Sequence, residues 1–278
     1  MNIYSPMSNP SPFTTAVIVS TYNRPGALKV VLESVLNQTL MPDQIIVADD
    51  GSTAETYLLV ESFISRYPSL ITHVWHEDTG FRLAAIRNKA MAQALADYLI
   101  QIDGDIMLHP KFVADHTAMA KRGYFVAGSR AMLTKTLTDR IITAGYPPKL
   151  NPFDKGIHNR LNALRIPFLM KLMALEQLSS RSYKKIKGCH MAFWKDDFLF
   201  INGYNEDFEG WGSEDVEIEL RFLNAGLKRC NLKFGALQYH LYHPDNSKAR
   251  ERINESLVLE TKTQNLIRCN NGIQKYME

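Results

Sequence analysis

Three clusters of side chains in this 278-residue sequence have the types and spacing to do chemistry. The apolar run Tyr98-Leu99-Ile100-Gln101-Ile102 ends in Asp103-Gly104-Asp105, after which apolar residues resume. Two carboxylates at the end of a buried strand repel each other, and a cation is the simplest compensation. Gly104 lets the backbone turn tightly enough for both acids to face one ligand. Hard oxygen ligands of this kind suit Mg²⁺ or Mn²⁺ held partly by substrate phosphates. Taken alone, Asp-Gly is also a common turn pair. Two further clusters keep it company: Asp49-Asp50-Gly51-Ser52, and Trp211-Gly212-Ser213-Glu214-Asp215.

Several elements must position these groups. Ala16 to Val19 reads as a buried strand running into Ser20-Thr21-Tyr22-Asn23-Arg24-Pro25. Leu28, Val31, Leu32, Val35 and Leu36 then recur at helical spacing. Gln44 to Ala48 is a second strand, and Ser52 with Glu55 forms a capping box for the next helix. Ile71 to Trp75 is a third strand, and Leu83 to Ala96 an Ala-rich helix. Tyr98 to Ile102 follows as the fourth strand, Pro110 opens another helix, and Tyr124 to Gly128 returns as a strand. This alternation predicts a βαβ architecture with a mostly parallel sheet. Ligands of such sheets sit at the carboxyl ends of the strands, where Ser20 to Arg24, Asp49 with Asp50, and Asp103 with Asp105 all fall. Later, Met191 to Trp194 and Phe234 to Tyr239 read as strands. Ser213 caps a helix closed by Gly226, and the tail from Lys248 is helical in character.

Composition narrows the class. A hydrophobic content of 45% and a charged content of 22% are ordinary for a globular protein, and the net charge of +3 neither requires nor excludes an anionic partner. Nothing points to nucleic acid. Cys189, Cys230 and Cys269 are too few and too scattered for a disulfide framework or a zinc ribbon. The polar start, residues 1–13, lacks the pattern of a signal peptide, and no apolar stretch reaches spanning length. These features predict a soluble, cytoplasmic protein. Residues 157–187 mix bases with large apolar residues. They read as a helical insertion with solvated charges or as a peripheral contact with the inner face of a membrane. No G-x-G-x-x-G follows the first strand and no P-loop occurs, which disfavours a dinucleotide enzyme or a P-loop ATPase.

Six pieces in order, VIVSTYNRP, IIVADDGS, GFRLAAIRNKA, IDGD, GWGSEDVE and a late His pair, resemble the family 2 glycosyltransferases of GT-A fold over residues 14–245. The GWGSED piece is also similar to the acceptor motif of β-1,4-galactosyltransferases and bacterial chondroitin-type polymerases. The resemblance implies an α/β, Rossmann-like GT-A domain. Residues 1–13 are then a lead-in, 14–130 the nucleotide-sugar half, 131–245 the acceptor half, and 246–278 a helical tail. It implies a donor-binding loop of Ser20, Tyr22, Asn23 and Arg24, with Tyr22 on a uracil ring and Arg24 toward the diphosphate. Asp50 would accept the uracil imide N–H. Arg87, next to Asn88, would contact the nucleotide or bridge toward Asp103, with Arg82 a weaker candidate. Asp103 would meet the ribose or the metal and Asp105 would ligate Mn²⁺ or Mg²⁺, joined by His243 or, alternatively, His240.

On the acceptor side the resemblance makes Asp215 the general base, with Glu214 on a sugar hydroxyl and Trp211 and Gly212 lining the sugar site. The implied reaction is inverting transfer of one sugar from a UDP-sugar to a glycan or lipid-linked saccharide, in bacterial surface polysaccharide synthesis. A nucleotidyltransferase would carry a Gly-rich loop with Arg and Lys after the first strand, where this chain has STYNRPG. A non-catalytic sugar- or nucleotide-binding module would have no need of Asp215. Each residue also has a plainer reading: Asn23 and Pro25 suit a helix entry, and acids suit a helix's first turn.

Overall fold

The computed structural model describes residues 13–175, 188–244 and 250–277. The first part of the chain alternates strand and helix: β1 (Thr15–Thr21), α1 (Pro25–Leu36), β2 (Gln44–Asp49), α2 (Ala54–Arg66), β3 (Ile71–Trp75), α3 (Leu83–Ala92) and β4 (Tyr98–Asp103). Then come β5 (Ile106–Leu108), α4 (Phe112–Met119), β6 (Tyr124–Gly128), β7 (Ala131–Leu133), α5 (Lys135–Ala144), β8 (Ile157–His158) and α6 (Pro167–Leu175). The last third holds β9 (His190–Trp194), α7 (Lys195–Phe200), α8 (Glu214–Asn224), β10 (Lys228–Leu232), β11 (Gln238–His240) and α9 (Glu251–Thr263).

Seven strands form one sheet in the order β10-β6-β9-β4-β1-β2-β3, and four short ones a second sheet in the order β5-β11-β7-β8. The pairs among β4, β1, β2 and β3 are parallel, while β9 runs antiparallel to both β4 and β6. Strand β1 is buried along its whole length because both faces are covered. Val17 and Val19 meet Leu28, Val31 and Leu32 of α1 on one face, while Ala16 and Ile18 meet Ile86, Ala90 and Met91 of α3 on the other. Burying each such branched side chain contributes about 1.5–3 kcal/mol, so β1 and β4 are firm supports for whatever their ends carry.

The second sheet brings distant residues to the Asp-Gly-Asp turn. Strand β5 leaves that turn and pairs antiparallel with β11, setting Ile106 opposite His240. The Leu241 N–H then donates to the Asp105 carbonyl at 2.9 Å.

Some boundaries differ from expectation, each for a local reason. Helix α2 starts at Ala54 behind Thr53, with no side-chain cap bond. Ser52 does not form the expected box with Glu55, because its hydroxyl accepts from Asn23 N–H. Pro110 precedes α4 by two residues rather than opening it, and α3 stops at Ala92 instead of Ala96. The expected strand from Phe234 is shortened to β11, since Phe234 (φ 59°) and Ala236 (φ 45°) are left-handed. Strand β10, charged at Lys228 and Arg229 on the sheet edge, carries no apolar run that a sequence reading could find. Ser213 does precede α8, but at φ 77° and without a side-chain cap bond. The lead-in 1–12, the Lys184–Lys187 stretch and Asp245 lie outside the described residues.

Candidate active site

The polar ends of β1, β2 and β4 converge, as parallel strands require. Asn23 (φ 47°) staples the first two loops: its N–H donates to Ser52 Oγ at 2.8 Å and its Oδ1 accepts from Thr53 N–H at 2.8 Å. Asn tolerates the left-handed conformation better than most residues. Tyr22 lies exposed beside them, its hydroxyl donating to Asp78 at 2.8 Å. Asp49 and Asp50 are both buried and held by histidines of the next strand. His73 Nε2 is 3.0 Å from Asp49, and His76 Nε2 is 2.6 Å from Asp50. The second oxygen of Asp50 accepts from Arg82 N–H at 2.9 Å. A uracil imide would therefore reach Asp50 only as a further donor.

Gly104 brings the Asp-Gly-Asp turn against the first loop. Its N–H donates to the Ser20 carbonyl at 2.6 Å, and a Cβ there would stand 2.9 Å from Thr21 Oγ1. The two acids then diverge. Asp103 accepts from Arg87 Nη2 at 2.8 Å. Asp105 faces Arg24 Nη1 at 2.8 Å, His243 Nε2 at 3.2 Å and His240 Nε2 at 3.8 Å. Ligand atoms of Asp105, His240 and His243 lie within 4.8 Å of one another. Asp105 Oδ1 and His240 Nδ1 are buried without hydrogen-bond partners, so the group has unused donor capacity. Burial and neighbouring Asp103 push the Asp105 carboxyl up to about 6, against the pull of His243, Arg24 and Arg130. Burial, Arg130, His243 and Arg24 push His240 down to about 3, leaving a neutral imidazole, the form that binds metals. Two imidazoles and a carboxylate fit Mn²⁺. Against the expected set, both histidines rather than one join Asp105, and Asp103 stands outside the group with Arg87 on it.

Arg87 is the centre of the site rather than a solvated helix residue. It is 1% exposed. Nη2 reaches Asp103, Nη1 reaches Glu214 at 3.3 Å, and Nε reaches Ser20 Oγ at 3.3 Å. Burial works against its charge, but the surrounding Tyr204, Asp103, Glu214 and Asp215 hold its pKa above the ordinary value. Arg87 thus joins the end of β4 to the start of α8. Burial, then the Asp215 charge, push Glu214 up to about 7, opposed by Arg87. Asp215 Oδ2 accepts from Gly188 N–H at 2.9 Å and Oδ1 from Val216 N–H at 2.8 Å. A Cβ on Gly188 would meet Asp215 Cβ at 3.2 Å and Arg87 Nη1 at 3.4 Å, so the approach is close.

The loop carrying Trp211 is built from left-handed residues: Gly210 (φ 72°), Gly212 (φ 105°) and Ser213 (φ 77°). Gly210 N–H donates to Phe81 O at 2.9 Å, and the buried Asn254 of α9 donates to Glu209 O at 3.2 Å and Gly212 O at 2.9 Å. Trp211 is partly exposed beside them.

The sequence reading missed His73, His76, Arg130, Gly188 and Asn254. The histidines alone left a signal, two rings at the end of the strand beside Asp49-Asp50. Arg130 donates to Cys189 Sγ at 2.8 Å, a thiol pushed up to about 12 by burial and so neutral.

The model for glycosyl transferase family 2 matches residues 16–167, more than half of the chain. The chain belongs to this family. A second model, the N-terminal domain of galactosyltransferase, matches residues 173–244, which carry α8 and both histidines. Helix α9 lies beyond both matches. Among curated relatives, validoxylamine A glucosyltransferase of Streptomyces hygroscopicus subsp. limoneus is 29% identical over 233 residues, 76% of this chain and 48% of that protein. Chondroitin synthase of Escherichia coli is 25% identical over 252 residues, 85% of this chain and 36% of that protein. The chain thus spans half or less of the length of these relatives. Among solved structures, GalNAc-T7 with UDP, GalNAc and Mn²⁺ aligns at TM-score 0.64 and 16% identity, over 90% of this chain and 48% of that one. The mannosyltransferase PcManGT of Pyrobaculum calidifontis, with GDP-Man and Mn²⁺, aligns at TM-score 0.60 and 17% identity, over 95% and 66%. These likenesses establish the GT-A fold for this family 2 chain.

Proposed function

We propose that the chain is an inverting, metal-dependent glycosyltransferase that moves one sugar from a UDP-sugar to a hydroxyl of a glycan or glycolipid, in bacterial surface polysaccharide synthesis. The observation that carries this reading is Arg87, which ties Asp103 on the donor side to Glu214, and so to Asp215, on the acceptor side. Asp105, His240 and His243 would hold the metal, and Mn²⁺ there would neutralise charge on the departing diphosphate. Tyr22 offers its exposed ring to the base, and Asp50 and Asn23 organise the loop beneath it. Arg24, ion-paired to Asp105, stands where a diphosphate would lie. Asp215 takes the proton from the acceptor hydroxyl as that oxygen bonds to the anomeric carbon and the bond to the diphosphate breaks. Attack on the face opposite the leaving group inverts the centre. Two backbone N–H groups fix the Asp215 carboxylate in place. Trp211 and Gly212 would shape the sugar site.

The Asp50 carboxylate would suit the imide N–H of uracil or thymine over the other bases, although one solved neighbour holds GDP-Man. A thermal-shift panel of UDP, GDP, dTDP, CMP and ATP, with and without Mn²⁺, tests this. Stabilisation by UDP that requires Mn²⁺ is expected, about 2.7 kcal/mol at a hundredfold excess over Kd. A response to GDP alone overturns the donor, and no response to any nucleotide favours a non-catalytic module. Asp215→Asn is expected to keep the UDP shift and lose transfer about 10²–10⁴-fold, and full activity in that variant removes the base assignment.

A further inference from the structure

Helix α6 has the sequence PFLMKLMAL, with Lys171 as its one charged residue. A helix apolar around its whole circumference belongs in a core or at a lipid surface. This one packs inward through Met170, which is 3% exposed and sits in the core cluster with Leu232 of β10. Away from that contact, Phe168 is 73% exposed and Leu172, one turn on, 41%. Just before the helix, Leu161 is 62% exposed. These large apolar groups stand at the surface with Lys171 among them.

The charged residues of this stretch of sequence are mostly basic. By sequence, residues 155–175 hold four bases and no acid, Arg165 among them being ion-paired to Asp115, and the count to 187 is eight bases against Glu176 alone. Of the chain's 32 bases and 29 acids, 24 and 28 lie elsewhere, so residues 155–187 carry +7 and the remainder −4. Exposed aromatic and aliphatic side chains within a basic field match an anionic lipid surface, where apolar groups enter the acyl boundary and bases meet headgroups. A protein partner's surface would need an acidic apolar patch to match. A second copy of this chain would set Lys171 against a like charge.

We propose that the outer face of α6, with Leu161, docks the protein on an anionic membrane. Gly188, the first described residue after α6, donates its N–H to Asp215 at 2.9 Å. Given the transferase reading, the acceptor is then a saccharide on a lipid carrier, presented from the bilayer to which the enzyme is bound.

Flotation of the full chain with vesicles tests this independently of any transfer assay. Vesicles of phosphatidylglycerol and phosphatidylethanolamine are expected to capture the protein at 0.1 M salt. Pure phosphatidylcholine, or 0.5 M salt, should weaken capture at least tenfold. Phe168→Ser with Leu172→Ser, both at exposed positions, should weaken capture at least tenfold while leaving the melting temperature and the Mn²⁺–UDP shift unchanged. Lys171→Glu should act in the same direction and be most severe at low salt. Absence of capture by the anionic vesicles overturns the proposal. So does undiminished capture of the double variant, or a wild-type dimer that the double variant abolishes. Capture without a UDP response would leave the membrane face standing and remove the transferase reading.

Discussion

At the scale of residues, the site is a chain of charges with Arg87 at its middle. The guanidinium is buried because three acceptors, Ser20, Asp103 and Glu214, compensate for the lost water. Glu214 is the weak point of that arrangement. Its folded-state pKa is raised to about 7 from an ordinary 4.5, chiefly by burial. The folded state therefore binds the proton more tightly than the unfolded chain. The stability this group contributes is full below about pH 4.5 and is lost as pH rises through about 7. Glu214→Gln, which cannot ionise, is expected to melt higher than the wild type above pH 7, by a few degrees, with the gap closing toward pH 4.5. Melting curves across that range check it, and a gap that does not vary with pH removes the assignment. Much of this was legible in the sequence, because Asp103, Asp105, Glu214 and Asp215 sit at strand and helix ends where ionised groups need a reason. The partition of roles was not legible. That Asp103 faces an arginine while Asp105 faces two histidines depends on the pairing of β5 with β11, which joins residues more than a hundred positions apart.

At the scale of elements, α9 is the piece that sequence motifs do not mark. It grips the Trp211 loop and α8 at two points. Asn254 holds the carbonyls of Glu209 and Gly212, and Thr261 donates to Glu217, which also holds the buried Arg221. An amide placed to hold two carbonyls of a loop full of left-handed residues fixes a conformation the loop would not keep alone. Asn254→Ala is expected to cost about 1–3 kcal/mol and to speed amide exchange in a peptide covering residues 209–216. Protection in β1, β2 and the Mn²⁺–UDP shift should be unchanged. Exchange by mass spectrometry reads this, and uniform loss of protection across the chain would make Asn254 a general core residue instead. The alternation of strands and helices to residue 128 was readable because buried parallel strands are continuous apolar runs. Strand β10 and the true start of β11 were not, because an edge strand tolerates Lys228 and Arg229, and positive φ at Phe234 and Ala236 leaves no trace in hydrophobicity.

At the scale of the whole molecule, the sheet has a pH-sensitive seam. His116 of α4 and His190 of β9 meet at 3.0 Å, both buried, and a Cβ on Gly128 would stand 2.0 Å from His190. Burial lowers the pKa of each, so both stay neutral in the fold. The unfolded chain takes up protons near pH 6.5 that the folded one refuses. The stability is therefore present above about 6.5 and drains as pH falls toward the depressed values. Between pH 7 and 4.5 this pair pulls the melting temperature down, against the opposite pull of Glu214, and His116→Phe should shift the melting temperature upward relative to the wild type as pH falls. An unchanged slope in the variant would place the acid sensitivity elsewhere.

Strand β9 has a consequence for how the chain is made. It is the middle strand between β4 and β6, yet it is translated some sixty residues after β6. While the ribosome is still adding the stretch before His190, β4 and β6 each present a bare edge, the state in which strands pair with the wrong neighbour. The strands formed before residue 130 cannot close into one sheet until residues 190–194 supply this strand. A nascent chain therefore has no closed sheet to fold first, and a recombination that exchanged everything after residue 130 would have to replace this inner strand as well as the residues of α8 that meet Arg87.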